Sequence, residues 1–328
     1  MNAESIQEPQ KITGKARELF TALKTELGKV VVGQERVIDE TIMVFLARGH
    51  VLLEGVPGIA KTLIVRSLAS IVNATFKRVQ FTPDLMPGDL TGINVFNPSS
   101  REFELRQGPV FTDILLADEI NRTPPKTQSA LLEAMQERQV TIDGKSYQLG
   151  ELFTVFATQN PIEYEGTYPL PEAELDRFMM KIKIDYPLPN EEKEILLRFH
   201  TRGDLFKFEE IGLNRVADAK LIDIARGEIR GIRVEETIAD YVVRIISATR
   251  EHPYIMLGSS PRGGLSFIAV AKTSAACNGR SYVVPDDVKE FAKPVLRHRL
   301  ILRPEAEIEG MGPDDVIDEI IEQIPVPR

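Results

Sequence analysis

Short apolar runs and helical apolar patterns alternate along the first 187 residues of the chain. A continuous apolar run bounded by turn signals predicts a buried strand, and apolar residues three or four positions apart predict an amphipathic helix. Five strands are predicted, over residues 51–53, 79–81, 114–117, 152–158 and 181–184. Helices are predicted over residues 12–27, 35–47, 63–72, 124–137 and 172–178. This alternation predicts an α/β domain with a parallel five-stranded sheet.

Beyond Pro187 and Pro189 the alternation stops and helical spacing dominates. The predicted helices cover residues 191–200, 217–229, 235–251, 261–278, 285–300 and 314–324. We therefore expect three parts: an N-terminal tail and helix over 1–27, an α/β domain over 28–187 and an all-helical domain over 188–328.

Two predicted hairpins interrupt the α/β pattern. Residues 91–107 carry apolar positions on both sides of a polar turn at 97–100, and residues 139–149 contain the turn signal Asp143-Gly144. The first insertion is either a decorative loop or a functional arm, and the sequence leaves both possibilities open.

Composition and charge are typical of a soluble globular protein and argue against several other classes. Hydrophobic residues make up 43% of the 328-residue chain and charged residues 27%, as in soluble globular proteins. The net charge of −9 argues against a general nucleic-acid surface. The single cysteine, Cys277, cannot form an internal disulfide, and the N-terminus lacks a secretory signal pattern. No apolar run approaches the roughly 20 residues of a membrane span, so we expect a cytoplasmic protein without one.

A glycine-rich loop joins the first predicted strand to the helix at 63–72. The predicted phosphate-binding residues are Gly55, Val56, Pro57, Gly58, Ile59, Ala60, Lys61, Thr62 and Leu63. Backbone N–H groups of such a loop bind phosphate, the lysine neutralises the β- and γ-phosphates, and the threonine hydroxyl binds Mg²⁺. Ala60 stands where the usual pattern has its last glycine, and alanine is unfavourable there only if φ must be positive.

Further polar residues follow the later strands. Asp118 and Glu119 end the strand at 114–117; one carboxylate is suited to hold Mg²⁺ and the other to activate a water for attack on the γ-phosphate. Asn160 ends the next strand and can hydrogen-bond that water or the phosphate. Because the carboxyl ends of parallel strands meet at one edge of a sheet, we expect these side chains to lie close together.

Three arginines are candidates for a supporting role. Arg177 lies late in the α/β domain, where it could reach a neighbouring subunit's phosphate more easily than its own. Arg262 begins a helix of the second domain, where a cation could sense the γ-phosphate. For Arg122, which follows the acidic pair, the sequence does not separate a partner contact, a site role and plain solvation.

With these motifs in place, the chain resembles the MoxR family of AAA+ ATPases over roughly residues 15–325. The motifs that carry the resemblance lie at 55–62, 115–122, 124–135, 157–161, 170–178 and 260–262. The resemblance implies a P-loop NTPase (AAA+) domain followed by an all-helical lid domain.

The same resemblance implies roles for individual residues. Lys61 and Thr62 match the Walker A motif, and Asp118 and Glu119 match the Walker B metal ligand and catalytic glutamate. By the same match Asn160 is sensor 1, Arg177 the arginine finger and Arg262 sensor 2, while Val32, Gly33 and Gln34 lie against adenine. The implied cofactors are ATP and Mg²⁺. The implied assembly is a homo-hexameric ring that acts on a protein client with a von Willebrand factor A domain partner.

These residues are compatible with three functions. Mg²⁺-dependent ATP hydrolysis that drives remodelling of protein targets is favoured because both Glu119 and Arg177 are present. A nucleotide-dependent scaffold or switch without turnover is the first alternative. An AAA+ nucleic-acid motor is the second; the net charge and the hairpin at 139–149, whose only cation is Lys145, argue against it.

Overall fold

The computed structural model describes residues 14–56, 58–161, 166–202 and 212–327. The tail at residues 1–10 lies outside them. The strands are β1 Val51–Glu54, β2 Phe76–Gln80, β3 Gly92–Asn97, β4 Glu102–Gln107, β5 Ile114–Asp118, β6 Gln139–Ile142, β7 Lys145–Gln148, β8 Thr154–Gln159, β9 Met180–Lys183, β10 Ile255–Leu257 and β11 Ile301–Leu302.

Helices surround these strands and make up most of the second domain. They are α1 Lys15–Gly28, α2 Glu35–Leu46, α3 Lys61–Ile71, α4 Pro87–Thr91, α5 Pro125–Glu137, α6 Glu172–Leu175, α7 Pro189–Arg202, α8 Ala219–Arg230, α9 Glu236–Glu251, α10 Pro261–Cys277, α11 Pro285–Glu290, α12 Ala292–Leu296, α13 Pro304–Ile308 and α14 Pro313–Gln323. Within the described ranges, no helix combines the length and apolar character that crossing a membrane requires.

The α/β domain is built on one five-stranded sheet in the order β2-β5-β8-β1-β9, and every pair of neighbouring strands is parallel. The predicted parallel sheet is therefore confirmed. In register, Gln80 of β2 lies beside Asp118 of β5, and Glu54 of β1 lies beside Gln159 of β8. The carboxyl ends of these strands consequently share one edge of the sheet, where ligands of open α/β sheets bind.

The central strands are buried on both faces. Leu53 and Leu116 pack into one hydrophobic cluster, whereas Leu52 and Leu115 pack into the cluster on the opposite face of the sheet. Successive side chains of a strand point to opposite faces, so a continuous apolar run stabilises the fold only where helices cover both. This burial, about 1.5–3 kcal/mol for each large apolar side chain, holds the site edge in place.

The helix predicted over 285–300 is interrupted between α11 and α12. Pro294 is the cause, because its ring collides with the carbonyl four residues earlier, at Glu290, and it has no N–H to donate. The lid also contains a small antiparallel ribbon of β10 and β11 in addition to its helices. The short helix α4 was not predicted.

Both predicted hairpins form, as the antiparallel pairs β3–β4 and β6–β7. The hairpins touch each other, since Asn94 Nδ2 donates a hydrogen bond to Asp143 Oδ2 over 2.8 Å. At the tip of the first hairpin, Phe96 and Phe103 form an edge-to-face pair with ring centroids 5.5 Å apart.

Helix α1 connects the two domains. It packs against α2 and α3 of the α/β domain and against α8 and α10 of the lid. The Ala16 N–H, in its first turn, donates to the Glu228 carboxylate of α8 over 2.9 Å, which satisfies one of the free N–H groups of a helix N-terminus. The domain limits drawn at 27/28 and 187/188 stay predictions.

Candidate functional site

A cleft of about 750 Å³ opens at the shared carboxyl edge of β1, β5 and β8. Its lining residues are Val30, Val31, Val32, Gln34, Gly58, Ile59, Ala60, Lys61, Thr62, Leu63, Arg78, Gln80, Asp118, Glu119, Asn160, Tyr186, Pro187, Glu192, Ile195, Leu196 and Arg198. This volume is typical of a pocket that encloses a ligand of nucleotide size.

The glycine-rich loop forms the floor of the cleft and leads into α3, which begins at Lys61. The free N–H groups at this helix N-terminus form an anion site. Lys61 Nζ donates to the Gly55 carbonyl over 2.6 Å, which holds the ammonium group beside the loop. Gly55 is required for packing, because a Cβ there would lie 2.3 Å from Ile59 Cδ1 and 2.6 Å from the Ile184 carbonyl. Val56 is half-buried within the loop, and Pro57 lies outside the described residues.

Ala60 adopts a left-handed conformation, with φ of +68° and ψ of +12°. This is the case in which alanine was expected to be unfavourable. The left-handed region costs an L-residue roughly 1–2 kcal/mol because its Cβ approaches the following carbonyl, and glycine avoids that cost.

Ala60→Gly is therefore expected to stabilise the protein. Relief of the left-handed strain exceeds the added freedom of glycine in the unfolded chain, so the free energy of unfolding should rise by about 0.5–1 kcal/mol. Urea denaturation measures the change. Ala130→Gly, in the middle of α5, is the matched control and should cost about 1 kcal/mol. Equal destabilisation by both substitutions would show that residue 60 does not require positive φ.

Thr158 of β8 contacts both acidic residues, through the carboxylate of Asp118 and the backbone of Glu119. Its hydroxyl donates to Asp118 Oδ1 over 2.5 Å and accepts a hydrogen bond from the Glu119 N–H over 2.8 Å. Glu119 itself has φ of +57°, so the chain turns sharply after β5 and the glutamate side chain lines the cleft. A non-glycine residue keeps a left-handed backbone conformation only where the surrounding structure holds it there.

Two side chains of β2, Arg78 and Gln80, complete the acidic side of the cleft. Arg78 Nη2 pairs with Asp118 Oδ2 at 2.6 Å, and Gln80 Nε2 donates to Glu119 Oε2 over 2.6 Å. Neither residue was predicted to belong to the site, because their contacts depend on β2 lying beside β5. The one available signal was that Gln80 is polar within the short strand predicted at 79–81, with Arg78 directly before that strand. Arg122, whose role was left open, pairs with Glu119 Oε2 at 3.1 Å and therefore belongs to the site.

The cleft lining also has an apolar part, called the apolar end below, although Glu192 and Arg198 of α7 line the cleft as well. It includes Val30, Val31 and Val32 together with Ile195 and Leu196 of α7, and Tyr186 contributes an aromatic ring. Tyr186 and the α7 residues were also missed, because they come from the segment joining the two domains. An apolar end suits a planar base, and the loop with its lysine suits phosphates.

The segment predicted to lie against adenine adjoins this apolar end. Gln34 lines the cleft and its Nε2 donates to the Asp185 carbonyl over 2.7 Å. Gly33 has φ of +65°, and a Cβ there would lie 2.4–2.6 Å from the Glu191 carboxyl group. The loop therefore approaches α7 closely at a position that glycine tolerates best.

Asn160 lines the cleft and is buried. Arg177 and Arg262 are not among the lining residues of the described chain. Arg177 lies in the turn between α6 and β9, and Arg262 occupies the first turn of α10 with its side chain exposed. Their phosphate-sensing roles stay predictions.

The oxygen ligands present fit Mg²⁺. Thr62 and Asp118 offer a hydroxyl and a carboxylate, and both line the cleft. Mg²⁺ usually takes one or two protein oxygens and completes its octahedron with phosphate oxygens and water. No group of three or more His, Cys, Asp or Glu suited to a metal occurs in the described part of the chain.

Comparisons with known proteins agree with this geometry. The model of the ATPase family associated with various cellular activities (AAA) matches residues 50–180, and the AAA lid domain model matches residues 247–320. The chain is 46% identical to the uncharacterised protein YeaC of Bacillus subtilis over 92% of both chains. It is 42% identical to chaperone MoxR1 of Mycobacterium tuberculosis over 96% of this chain and 85% of the relative. The crystal structure of a candidate ATPase from Cytophaga hutchinsonii, 42% identical, superposes with a TM-score of 0.86 over 96% of this chain and 97% of the other.

Proposed function

The chain belongs to the MoxR family of AAA+ ATPases, and we propose that it hydrolyses ATP with Mg²⁺ and uses the reaction to remodel or mature partner protein complexes. The observation that carries the proposal is the shared cleft. Lys61 and Thr62, at the start of α3, line it together with Asp118, the last residue of β5, and Glu119, which follows it.

Different residues of the chain bind the nucleotide, activate the water and hold the catalytic carboxylate. The N-terminus of α3 and Lys61 bind the phosphates, and the apolar end of the cleft binds the base. Glu119 accepts a proton from the attacking water, and Asn160 orients that water. Gln80 and Arg122, which contact Glu119 Oε2, hold the carboxylate in position. Bound Mg²⁺, held by Thr62 and Asp118, would neutralise charge on the phosphates.

Two arginines extend the site beyond the cleft. Arg177 reaches the γ-phosphate bound by a neighbouring subunit, and Arg262 brings the lid onto the nucleotide of its own subunit. Their absence from the cleft lining is compatible with this division, because the first acts across an interface and the second acts on domain closure.

An arginine that acts on a neighbouring subunit requires the protein to form an oligomer. We infer that the protein forms a homo-hexameric ring in the cytoplasm and acts on a protein client together with a von Willebrand factor A domain protein. The chaperone name of the Mycobacterium tuberculosis relative supports a protein client. The net charge of −9 supports a protein rather than a nucleic acid as the target.

The proposal is tested by measuring ATP turnover against protein concentration, with Mg²⁺ and with EDTA, while mass in solution is recorded with and without ATP. We expect specific activity to rise with concentration, a larger assembly to form with ATP, and EDTA to abolish turnover. If the protein binds ATP, stays monomeric and never hydrolyses it, the scaffold or switch without turnover replaces the ATPase.

A further inference from the structure

Asp176, the residue before Arg177, is held by two side chains of the lid. Its Oδ1 accepts a hydrogen bond from Arg299 Nε over 2.7 Å, and its Oδ2 accepts one from Ser260 Oγ over 2.6 Å. The carboxylate is 16% exposed, so both bonds form in a largely dehydrated setting, where charge-assisted hydrogen bonds are strong.

Ser260 connects this carboxylate to Arg262. Its hydroxyl is the N-cap of α10 and accepts a hydrogen bond from the Arg262 N–H over 3.0 Å while it donates to Asp176. Two consecutive hydrogen bonds therefore join the start of α10 to the residue beside Arg177. A displacement of α10 is transmitted to Asp176 unless one of these bonds breaks.

Arg299 of the lid also binds the turn at residues 176–178. Its side chain is 1% exposed, and its Nη2 donates to the Phe178 carbonyl over 2.7 Å and to the Asp176 carbonyl over 3.3 Å. Burial lowers the pKa of Arg299, and Asp176 opposes that effect by hydrogen bond and charge. A buried guanidinium is stable only while its carboxylate partner stays in place, so Asp176 cannot move independently of the lid.

The close approach of Arg299 to α10 depends on Gly263. A Cβ at residue 263 would lie 2.2 Å from Ser259 Oγ and 3.2 Å from Arg299 Cδ. The start of α10, Arg299 and Asp176 therefore pack as one unit.

Arg177 lies between two anchored residues. Phe178 is fully buried in the hydrophobic core and Asp176 is bound to the lid. In contrast, Arg177 Nε has no hydrogen-bond partner among the described residues. The backbone of Arg177 therefore lies between two anchored residues, and a shift of the turn moves the point from which its side chain extends.

We propose that Asp176 is a positioning residue that couples the nucleotide state of one subunit to the arginine which that subunit presents to its neighbour. This inference rests on the roles proposed above for Arg177 and Arg262. ATP that attracts Arg262 displaces the start of α10, Ser260 carries the displacement to Asp176, and the turn reorients Arg177. Hydrolysis in one subunit would therefore depend on ATP in the adjacent one.

Hydrogen exchange of the amides of residues 176–178 tests the coupling without requiring turnover. These amides donate to the carbonyls of Glu172, Glu174 and Leu175, so exchange reports on the turn. The measurement uses the full-length chain carrying Glu119→Gln, with and without ATP, so that nucleotide stays bound. We expect ATP to change exchange by about fivefold or more, the lower end of typical coupling between sites.

Three variants in the Glu119→Gln chain isolate the Ser260 hydroxyl. Ser260→Ala removes the hydroxyl and should abolish the ATP-dependent change, whereas Ser260→Thr keeps it and should preserve the change. Asp218→Ala is the matched control, because Asp218 caps α8 of the same lid through the Leu221 N–H at 2.9 Å. Both alanine substitutions remove a cap and cost about 1 kcal/mol of stability, so Asp218→Ala reveals any effect of stability alone.

The outcomes separate the coupling from the proposed function. The coupling is overturned if the ATP-dependent change in exchange survives Ser260→Ala. It is also overturned if bound ATP causes no change in exchange at residues 176–178. Both conclusions hold even if the wild-type protein hydrolyses ATP. An ATP-dependent change that requires the hydroxyl supports the coupling even if hydrolysis proves undetectable. A protein that never binds ATP overturns both.

Discussion

Glu119→Gln lowers kcat for ATP by at least about 100-fold, the lower end of the contribution of a positioned general base. Glutamine occupies the same volume but does not accept the proton of the attacking water. Its amide oxygen can still accept the hydrogen bond that Gln80 gives to Glu119 Oε2, so the local structure should persist. We expect ATP affinity to stay within about threefold, because Lys61 and the start of α3 bind the phosphates.

Steady-state turnover combined with equilibrium binding of ATP measures both quantities. Glu133→Gln is the matched control, because Glu133 is an exposed residue of α5 outside the cleft lining, and its kcat should equal that of wild type. Undiminished turnover in Glu119→Gln would remove Glu119 from the mechanism and require another base.

Arg177→Ala should lower kcat by about 1,000-fold relative to wild type, the lower end of what an arginine finger contributes. The guanidinium stabilises charge on the γ-phosphate in the transition state, so affinity for ATP should change much less than turnover. Arg177→Lys should restore little activity, since an ammonium group does not reproduce the planar fork of donors. Arg233→Ala removes an exposed arginine of the lid and serves as the control, with turnover like wild type.

A mixing experiment shows whether Arg177 acts on its own subunit or on a neighbour. Arg177→Ala and Glu119→Gln subunits are each expected to retain little activity alone. If the arginine acts in trans, an Arg177→Ala subunit retains its own Glu119 and receives an intact arginine from a Glu119→Gln neighbour. Random equal mixing completes about a quarter of the interfaces, so up to that fraction of wild-type activity should return. No recovery in ring-sized mixed assemblies would show that Arg177 does not act across the interface.

Local patterns were sufficient to predict the architecture and the central residues of the site. The apolar runs at 51–53 and 114–117 identified strands, since a strand covered on both faces is apolar at every position. Asp118 and Glu119 follow the second run directly, and Lys61 and Thr62 follow the first after the glycine-rich loop. Parallel strands bring their carboxyl ends to one edge of the sheet. Chain order alone therefore predicted that these residues meet, and the cleft contains all of them.

Tertiary structure alone decided the contacts that support these residues. Arg78 and Gln80 reach the carboxylates because β2 lies beside β5, and the left-handed φ of Ala60 follows from how the loop enters α3. Asp176 meets Ser260 and Arg299 across 84 and 123 residues of chain.

Periodicity and turn signals record only interactions between near neighbours in sequence. Strand order and the packing of the lid on the sheet arise when distant apolar faces are buried together, and the sequence of either segment by itself carries no sign of its partner.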